Sequence, residues 1–166
     1  MRVRSRNDAF VAAEVHLAGA TGSASLFLLS VPGRLARQYR GRLDVECRID
    51  ELVAIVNMDL ETAVASAVAA ESVPGASLEA LKAQAVATRS YYLASRSRHG
   101  QIDFCDTTHC QFLREPPSPQ SLASQAAAAT RGLVLFYDGA PVPALFTGSC
   151  GGRTRTLAEV GLAPAP

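Results

Sequence analysis

Residues 60–93 read LETAVASAVAAESVPGASLEALKAQAVATRSYYL, two helical patterns on either side of a break. Leu60, Ala63, Val64, Ala67 and Val68 recur at helical spacing and form one apolar stripe. Asp59 is placed to cap this first helix, because a short carboxylate can accept from the free N–H groups of the opening turn. Pro74-Gly75 ends the element. Ser77 then caps a second helix whose buried stripe is Leu78, Leu81, Ala85 and Val86. It is expected to continue through Tyr92 and Leu93 to about Arg98, with His99-Gly100 closing it.

Upstream of this pair, residues 1–38 read as weak β structure, with a strand at Ser25–Ser30. Tyr39–Glu46 alternates apolar and polar residues, and Glu51–Asn57 (ELVAIVN) reads as a mostly buried strand. Downstream, Gln101–Leu113 is a loop carrying two close cysteines, and Glu115–Gln120 is a turn-rich break. A third helix is expected with Ser118 as cap and Pro119 in its first position, running to Arg131 and stopping at Gly132. Leu133–Tyr137 and Val142–Phe146 read as strands joined at Asp138-Gly139, a hairpin signal. Strands and helices in blocks predict an α+β fold: a helical core carrying Glu71, packed with small antiparallel β-sheets.

Composition narrows the function. Across 166 residues, 48% are hydrophobic and 19% charged, which describes a globular chain. The net charge is +1, with the basic residues scattered apart from Arg2, Arg4 and Arg6. There is no tryptophan and only 6% aromatic residue, so neither an electrostatic footprint nor a stacking surface for nucleic acid is present. The most apolar stretch, Ala24–Val31, is well below the ~20 residues a membrane span needs. Glu14 and His16 interrupt Phe10–Ala20, which makes it a poor signal-peptide core.

Glu71 stands eleven residues beyond Leu60, back at nearly the same angle on the helix. A carboxyl group at the end of an apolar face is expected to lose water, which disfavours its charged form and suits a general acid. The alternative is a frayed helix end with Glu71 pointing into solvent. On the second helix Lys82 and Arg89 lie on or beside the buried stripe and Gln84 on the next face. They either line a cleft and hold sugar hydroxyls, or lay their stems on the core and keep their charges wet.

With these residues in view, Glu71-Ser72 followed by LEALKAQAVATRSY (78–91) closely resembles the family of stage II sporulation protein D and the amidase enhancers (SpoIID/LytB). The resemblance continues through Tyr39-Arg40-Gly41, Asn57 and Leu60-Glu61 upstream. Downstream it takes in CDTTHCQ (105–111), Ala129-Thr130-Arg131-Gly132 and Cys150-Gly151-Gly152-Arg153-Thr154. It covers roughly residues 39–160. The domains expected are therefore an N-terminal β segment, 1–38, the remnant of a longer region, and a SpoIID/LytB-like domain, 39–166, truncated at its C-terminus.

The resemblance implies a lytic transglycosylase. Such enzymes cut the bond between N-acetylmuramic acid and N-acetylglucosamine in peptidoglycan and leave a 1,6-anhydro end, the sporulation members preferring strands stripped of stem peptides. The family's catalytic glutamate maps onto Glu71, and Lys82, Gln84, Arg89 and Tyr91 would position sugar or orient it. The alternative is a non-catalytic amidase enhancer that holds glycan or a cell-wall amidase. Either places the protein outside the cytoplasm, in the cell envelope or periplasm.

The cysteines admit two readings. Cys105 and Cys110, with His109 between them and Cys150 in a Gly-rich turn, offer soft ligands that suit zinc. On an extended chain the adjacent His109 and Cys110 would point apart. Family relatives include members with zinc near the cleft held by cysteines of this loop, so the resemblance favours a metal in a structural role, pinning the loop over the cleft. The other reading is a disulfide between any pair in an exported protein. A zinc hydrolase using Asp103 or Asp106 ranks below both. Cys47 is expected to be a buried small hydrophobe, and no partner is assigned to His16 or His99.

Overall fold

The computed structural model describes residues 1–4, 9–22, 24–146, 151–156 and 159. Strands β1 (Arg2–Arg4) and β2 (Ala9–Val11) form a two-stranded antiparallel ladder. β3 (Glu14–Leu17), β4 (Ser25–Val31), β5 (Leu35–Cys47) and β6 (Leu52–Asn57) form a four-stranded antiparallel sheet. β5 is its shared strand. Its N-terminal half pairs with β4, and its C-terminal half is flanked by β3 and β6.

Alternation along β5 buries Tyr39 and Leu43 and exposes Arg40 and Arg42. Phe27 of β4 stacks on its cross-strand partner Tyr39, ring centroids 5.9 Å apart. Gly41 is required here for space, because a side chain there would run into the carbonyl oxygen of Asn57 in β6. Cys47, expected to be buried, is an exposed free thiol at the end of β5, where the alternation has reached the sheet's open end.

Three helices follow: α1 (Leu60–Glu71), α2 (Leu78–Ala94) and α3 (Leu122–Ala129). Asp59 caps α1 as expected, its Oδ1 accepting from the N–H groups of Glu61 and Thr62 at 3.0 and 3.2 Å. Ser77 caps α2 through the Ala80 N–H. α2 ends at Ala94, earlier than its pattern suggested, because Ser95 leaves helical geometry and Ser97 turns into the left-handed region. α3 begins later than expected. Ser121, not Ser118, is the cap and accepts from the Ser124 N–H, while 118–121 closes as a turn. The hairpin β7 (Phe136–Tyr137) and β8 (Ala140–Pro141) turns at Asp138-Gly139, both with positive φ, the geometry a two-residue hairpin loop demands. Its ladder is shorter than expected, and Pro141 and Pro143 have no N–H to extend it.

The architecture is α+β, with three helices and small antiparallel sheets. The chain divides into two compact units, residues 1–63 with 114–116, and 64–113 with 117–166. The second unit has its own core: Val64, Ala67 and Val68 of α1, Leu81, Ala85, Tyr91 and Tyr92 of α2, and Ala126 and Ala127 of α3. Each fully buried valine contributes roughly 1.5–3 kcal/mol. Among the described residues no helix is long and apolar enough to cross a membrane.

Candidate active site and metal-binding cluster

Glu71 is the last residue of α1. The backbone turns immediately beyond it, the Ala76 N–H bonding the Val73 carbonyl and Gly75 taking φ +80°. The apolar stripe of α1 is buried from Val64 to Val68, but Glu71 itself is exposed, so the desolvation expected from the stripe is not supplied by the folded chain alone. It does not stand in open solvent away from any groove. It lines a pocket of about 280 Å³ together with Tyr91, Gln111 and Phe112. Thr108 and Cys110 complete one side of that pocket, and Ala144, Leu145 and Phe146 supply further apolar lining.

Two groups fix the carboxylate's surroundings. Gln111, 7% exposed, donates from Nε2 to Glu71 Oε1 at 3.4 Å and to the Phe112 carbonyl at 3.3 Å. Tyr91, 4% exposed, donates its hydroxyl to the Cys110 carbonyl at 3.2 Å. Burial pushes the Tyr91 hydroxyl above its ordinary range, so it stays a neutral donor at physiological pH. Burial does the same, more strongly, to Tyr92, with the nearby charges of Asp106, Tyr91 and Glu71 adding to it.

The other residues expected to hold sugar lie elsewhere. Arg89 is 1% exposed, and its guanidinium donates to the carbonyls of Leu133 at 3.0 Å, Ala127 at 3.2 Å and Ala85 at 3.5 Å. It neither faces a cleft nor snorkels. Its planar fork of donors ties α2 to α3 and to the segment leading into β7. Lys82 is half-buried and pairs with Glu79 at 2.7 Å, one turn back on its own helix. Neither Lys82 nor Gln84 lines the Glu71 pocket, so of the four only Tyr91 joins Glu71 there.

The loop after α2 is shaped by a few specific contacts. The Ser97 N–H bonds Asp103 Oδ1 at 3.0 Å, and the Ile102 carbonyl accepts from the His99 N–H at 3.0 Å, folding 97–103 into a tight return. Phe104 packs against both helix tyrosines, its ring centroid 4.9 Å from Tyr92 and 5.6 Å from Tyr91. Asp106 Oδ1 accepts from the Leu113 N–H at 2.8 Å and closes the segment.

Within this loop His99, Cys105, His109 and Cys110 converge, their ligand atoms all within 4.8 Å of one another. His99 Nε2 lies 3.1 Å from Cys110 Sγ, and His109 Nδ1 lies 3.4 Å from Cys110 Sγ and 3.7 Å from Cys105 Sγ. His109 and Cys110 face the same point because the chain there is a turn, the Cys110 N–H bonding the Thr107 carbonyl, and not extended. Cys105 and Cys110 are free thiols. Cys150, expected as a ligand, lies outside the described residues.

The four donors fit a metal ion. Tetrahedral zinc with two sulfur and two nitrogen ligands sets N and S roughly 3.5 Å apart, and the three N–S contacts bracket that spacing. Hydrogen bonds to the sulfur, first from Thr107 and then from His109, Cys110 and His99, outweigh burial and draw the Cys105 thiol down from 9.0 to about 6. It is then the thiolate a metal takes. His99 joins this cluster although its sequence position assigns it no partner. Its signal was the spacing His-x5-Cys-x3-His-Cys, obscured because only the 97–103 turn brings His99 back. Gln111 closes the CDTTHCQ stretch, where sequence alone assigns it no role.

An uncharacterised protein of Brachyspira hyodysenteriae is 28% identical over 126 residues, covering 74% of this chain and 34% of its own length. The chain thus spans about a third of that relative. No solved structure matches. The family profile described as stage II sporulation protein, SpoIID, matches residues 48–137, a span that takes in Glu71, the pocket residues up to Phe112 and the whole His/Cys cluster. Since that match covers more than half of the chain, the protein belongs to the stage II sporulation protein D family and takes a cell-wall-related role.

Proposed function

We propose that the protein is a peptidoglycan lytic transglycosylase that cleaves the MurNAc–GlcNAc bond of peptide-stripped glycan strands and leaves 1,6-anhydro-MurNAc ends, with Glu71 as both acid and base. The observation that carries this reading is the setting of Glu71: a lone carboxylate at the rim of a pocket, touched by the buried amide of Gln111 and walled by Tyr91 and apolar residues. A glycosidase that releases its product with water needs two carboxylates flanking the bond. A transglycosylase manages with one. Glu71 protonates the leaving glycosidic oxygen, the oxocarbenium-like sugar is captured by its own 6-hydroxyl, and the Glu71 carboxylate takes that hydroxyl's proton.

The exposure of Glu71 in the free protein assigns the desolvation to the substrate. A sugar ring laid over the pocket displaces water from the carboxyl group, and the apolar side formed by Phe112, Leu145 and Phe146 helps exclude it. Gln111 holds the carboxyl in one orientation, and the Tyr91 hydroxyl, anchored on the Cys110 carbonyl, fixes the facing wall.

His99, Cys105, His109 and Cys110 would hold zinc in a structural role, tying together the loop from which Cys110, Gln111 and Phe112 reach the pocket. A bound zinc would supply rigidity through four protein bonds and no reacting group.

The experiment is incubation of purified protein with amidase-treated glycan strands, with products read by mass spectrometry. Anhydro-muramyl ends that vanish in Glu71→Gln support the proposal; identical products from both proteins, or ordinary reducing ends, reject it. A non-catalytic amidase enhancer is favoured by one observation, the openness of Glu71. It predicts glycan or amidase binding with no new ends.

A further inference from the structure

A second concavity lies within the β unit and shares no residue with the Glu71 pocket. It has a volume of about 360 Å³ and is lined by polar side chains of β3, β5 and β6, with Leu17, Ala18 and Gly22 at its margin. The sheet's register explains the grouping. His16 of β3 is paired with Asp44 of β5, and Arg42 of β5 with Asn57 of β6. Since residues two apart on a strand share a face, all four side chains emerge on one side of the sheet.

Their chemistry is organised. His16 Nδ1 lies 2.8 Å from Asp44 Oδ1, and Asn57 Nδ2 donates to Asp44 Oδ2 at 2.5 Å. Each Asp44 oxygen is thus held once and keeps acceptor capacity toward the cavity. His16 Nε2 also faces Glu14 Oε1 at 3.4 Å, so the imidazole is flanked by carboxylates on both sides. Arg42 differs from its neighbours: it is exposed and makes no ion pair among the described residues.

An exposed guanidinium beside a clamped carboxylate selects a particular ligand. Arginine's planar fork takes a carboxylate in a bidentate pair. Asp44 and Glu14 repel a multiply charged anion such as a phosphate, whereas hydroxyl and amide N–H groups of a neutral ring can donate to Asp44. The volume falls at the small end of ligand pockets, ~300–1,000 Å³, room for one sugar ring. We propose that this face of the β-sheet binds an acidic amino sugar, its free carboxylate seated on Arg42 and its ring donors on Asp44. Muramic acid in a glycan strand bears one such carboxylate, and a stem peptide converts it to an amide. The choice of a glycan over other monocarboxylates rests on the function proposed above. The site would register that a strand has been stripped of peptide.

The test uses the full chain carrying Glu71→Gln, which leaves the ligand uncut. Calorimetric titration compares a GlcNAc–MurNAc disaccharide having its free lactyl carboxylate with the same disaccharide capped as the methylamide. The acid is expected to bind at least tenfold tighter, and Arg42→Gln is expected to abolish that preference while circular dichroism stays unchanged. Arg42→Lys, which keeps the charge and loses the fork, retains a reduced preference. Equal affinity for acid and amide, a preference indifferent to Arg42, or no binding of the acid overturns the site. The two proposals fail separately. Anhydro ends from wild type without an Arg42-dependent preference remove this site alone. An Arg42-dependent preference without anhydro ends removes the catalytic reading alone.

Discussion

Helix α2 and the loop that follows it hold their polar groups in opposite ways. On α2, Thr88, Arg89 and Ser90 are fully buried, and the last two are satisfied by backbone carbonyls at fixed places in the fold. Ser90 even accepts from the Leu135 N–H at 2.8 Å while donating to Val86. In the loop, His99 and His109 are exposed, Cys105 and Cys110 only half-buried, and their side chains converge on one point. The helix derives its order from packing. The loop needs a cross-link to hold the same precision, and its four convergent ligands offer one. The pocket draws on both, Tyr91 from the helix and Cys110, Gln111 and Phe112 from the loop.

The sharpest way to break that contrast is Arg89→Ala. Three carbonyls lose their donor, those of Ala85 and Ala127 in buried contacts, and a cavity opens, so stability should fall by about 3–5 kcal/mol in urea unfolding. An unchanged midpoint with weakened glycan affinity would restore Arg89 to the sugar-binding role its spacing suggested. Zinc should act on the other side of the contrast. At about a hundredfold its dissociation constant it adds ~2.7 kcal/mol to the folded state. Hydrogen exchange should slow across residues 97–113, with little change in α2. A Cys105→Ser, Cys110→Ser double variant should bind no stoichiometric metal, and chelation that loosened α2 as much as the loop would show the two are not separable.

Thr88 marks the helix's own imperfection. Its Oγ1 is buried and finds no partner among the described residues. Thr88→Val keeps the shape and removes the orphaned hydroxyl, so it should stabilise by ~1 kcal/mol. Destabilisation of that size instead would mean that the hydroxyl is satisfied in solution by water.

What was legible from sequence follows the same division. The caps Asp59 and Ser77 were readable because capping is a local event, settled within one turn of chain. The hairpin at Asp138-Gly139 was readable because only residues tolerant of positive φ fit it. Arg89 was placed correctly on the buried stripe, but its role was not readable. The carbonyls it serves at Ala127 and Leu133 are 38 and 44 residues away. The start of α3 is not decided by sequence because two serines compete, and Ser121 prevails by bonding Ser124 while 118–121 turns. In the candidate site, helical periodicity left Glu71 open between a desolvated end of the apolar stripe and a solvent-facing helix end, and only the family resemblance singled it out. The structure takes the solvent-facing alternative, because the chain turns away directly after α1. His99 depended on a tertiary return through Ser97 in the left-handed region, which no periodicity announces.

The smallest expected effect tests whether the loop is already poised for a metal before one arrives. In the metal-free protein the Cys105 thiol is drawn down from 9.0 to about 6, chiefly by the Thr107 hydroxyl. A folded value below the unfolded one stabilises the fold fully above about 9, and that contribution is lost as pH falls through about 6. Cys105 is partly open to solvent, so screening keeps the gain in stability small, and reactivity is the better readout. Iodoacetamide should label Cys105 in metal-free protein with a half-maximal rate near pH 6, and zinc should block the labelling. Thr107→Val should move that midpoint up more than His109→Ala does, because the hydroxyl is the larger influence. A midpoint indifferent to both substitutions would mean that the sulfur is not organised by its neighbours. The loop would then resemble an unstructured chain that a metal must gather, and the contrast with α2 would widen from a difference in how order is held to a difference in whether it exists before binding.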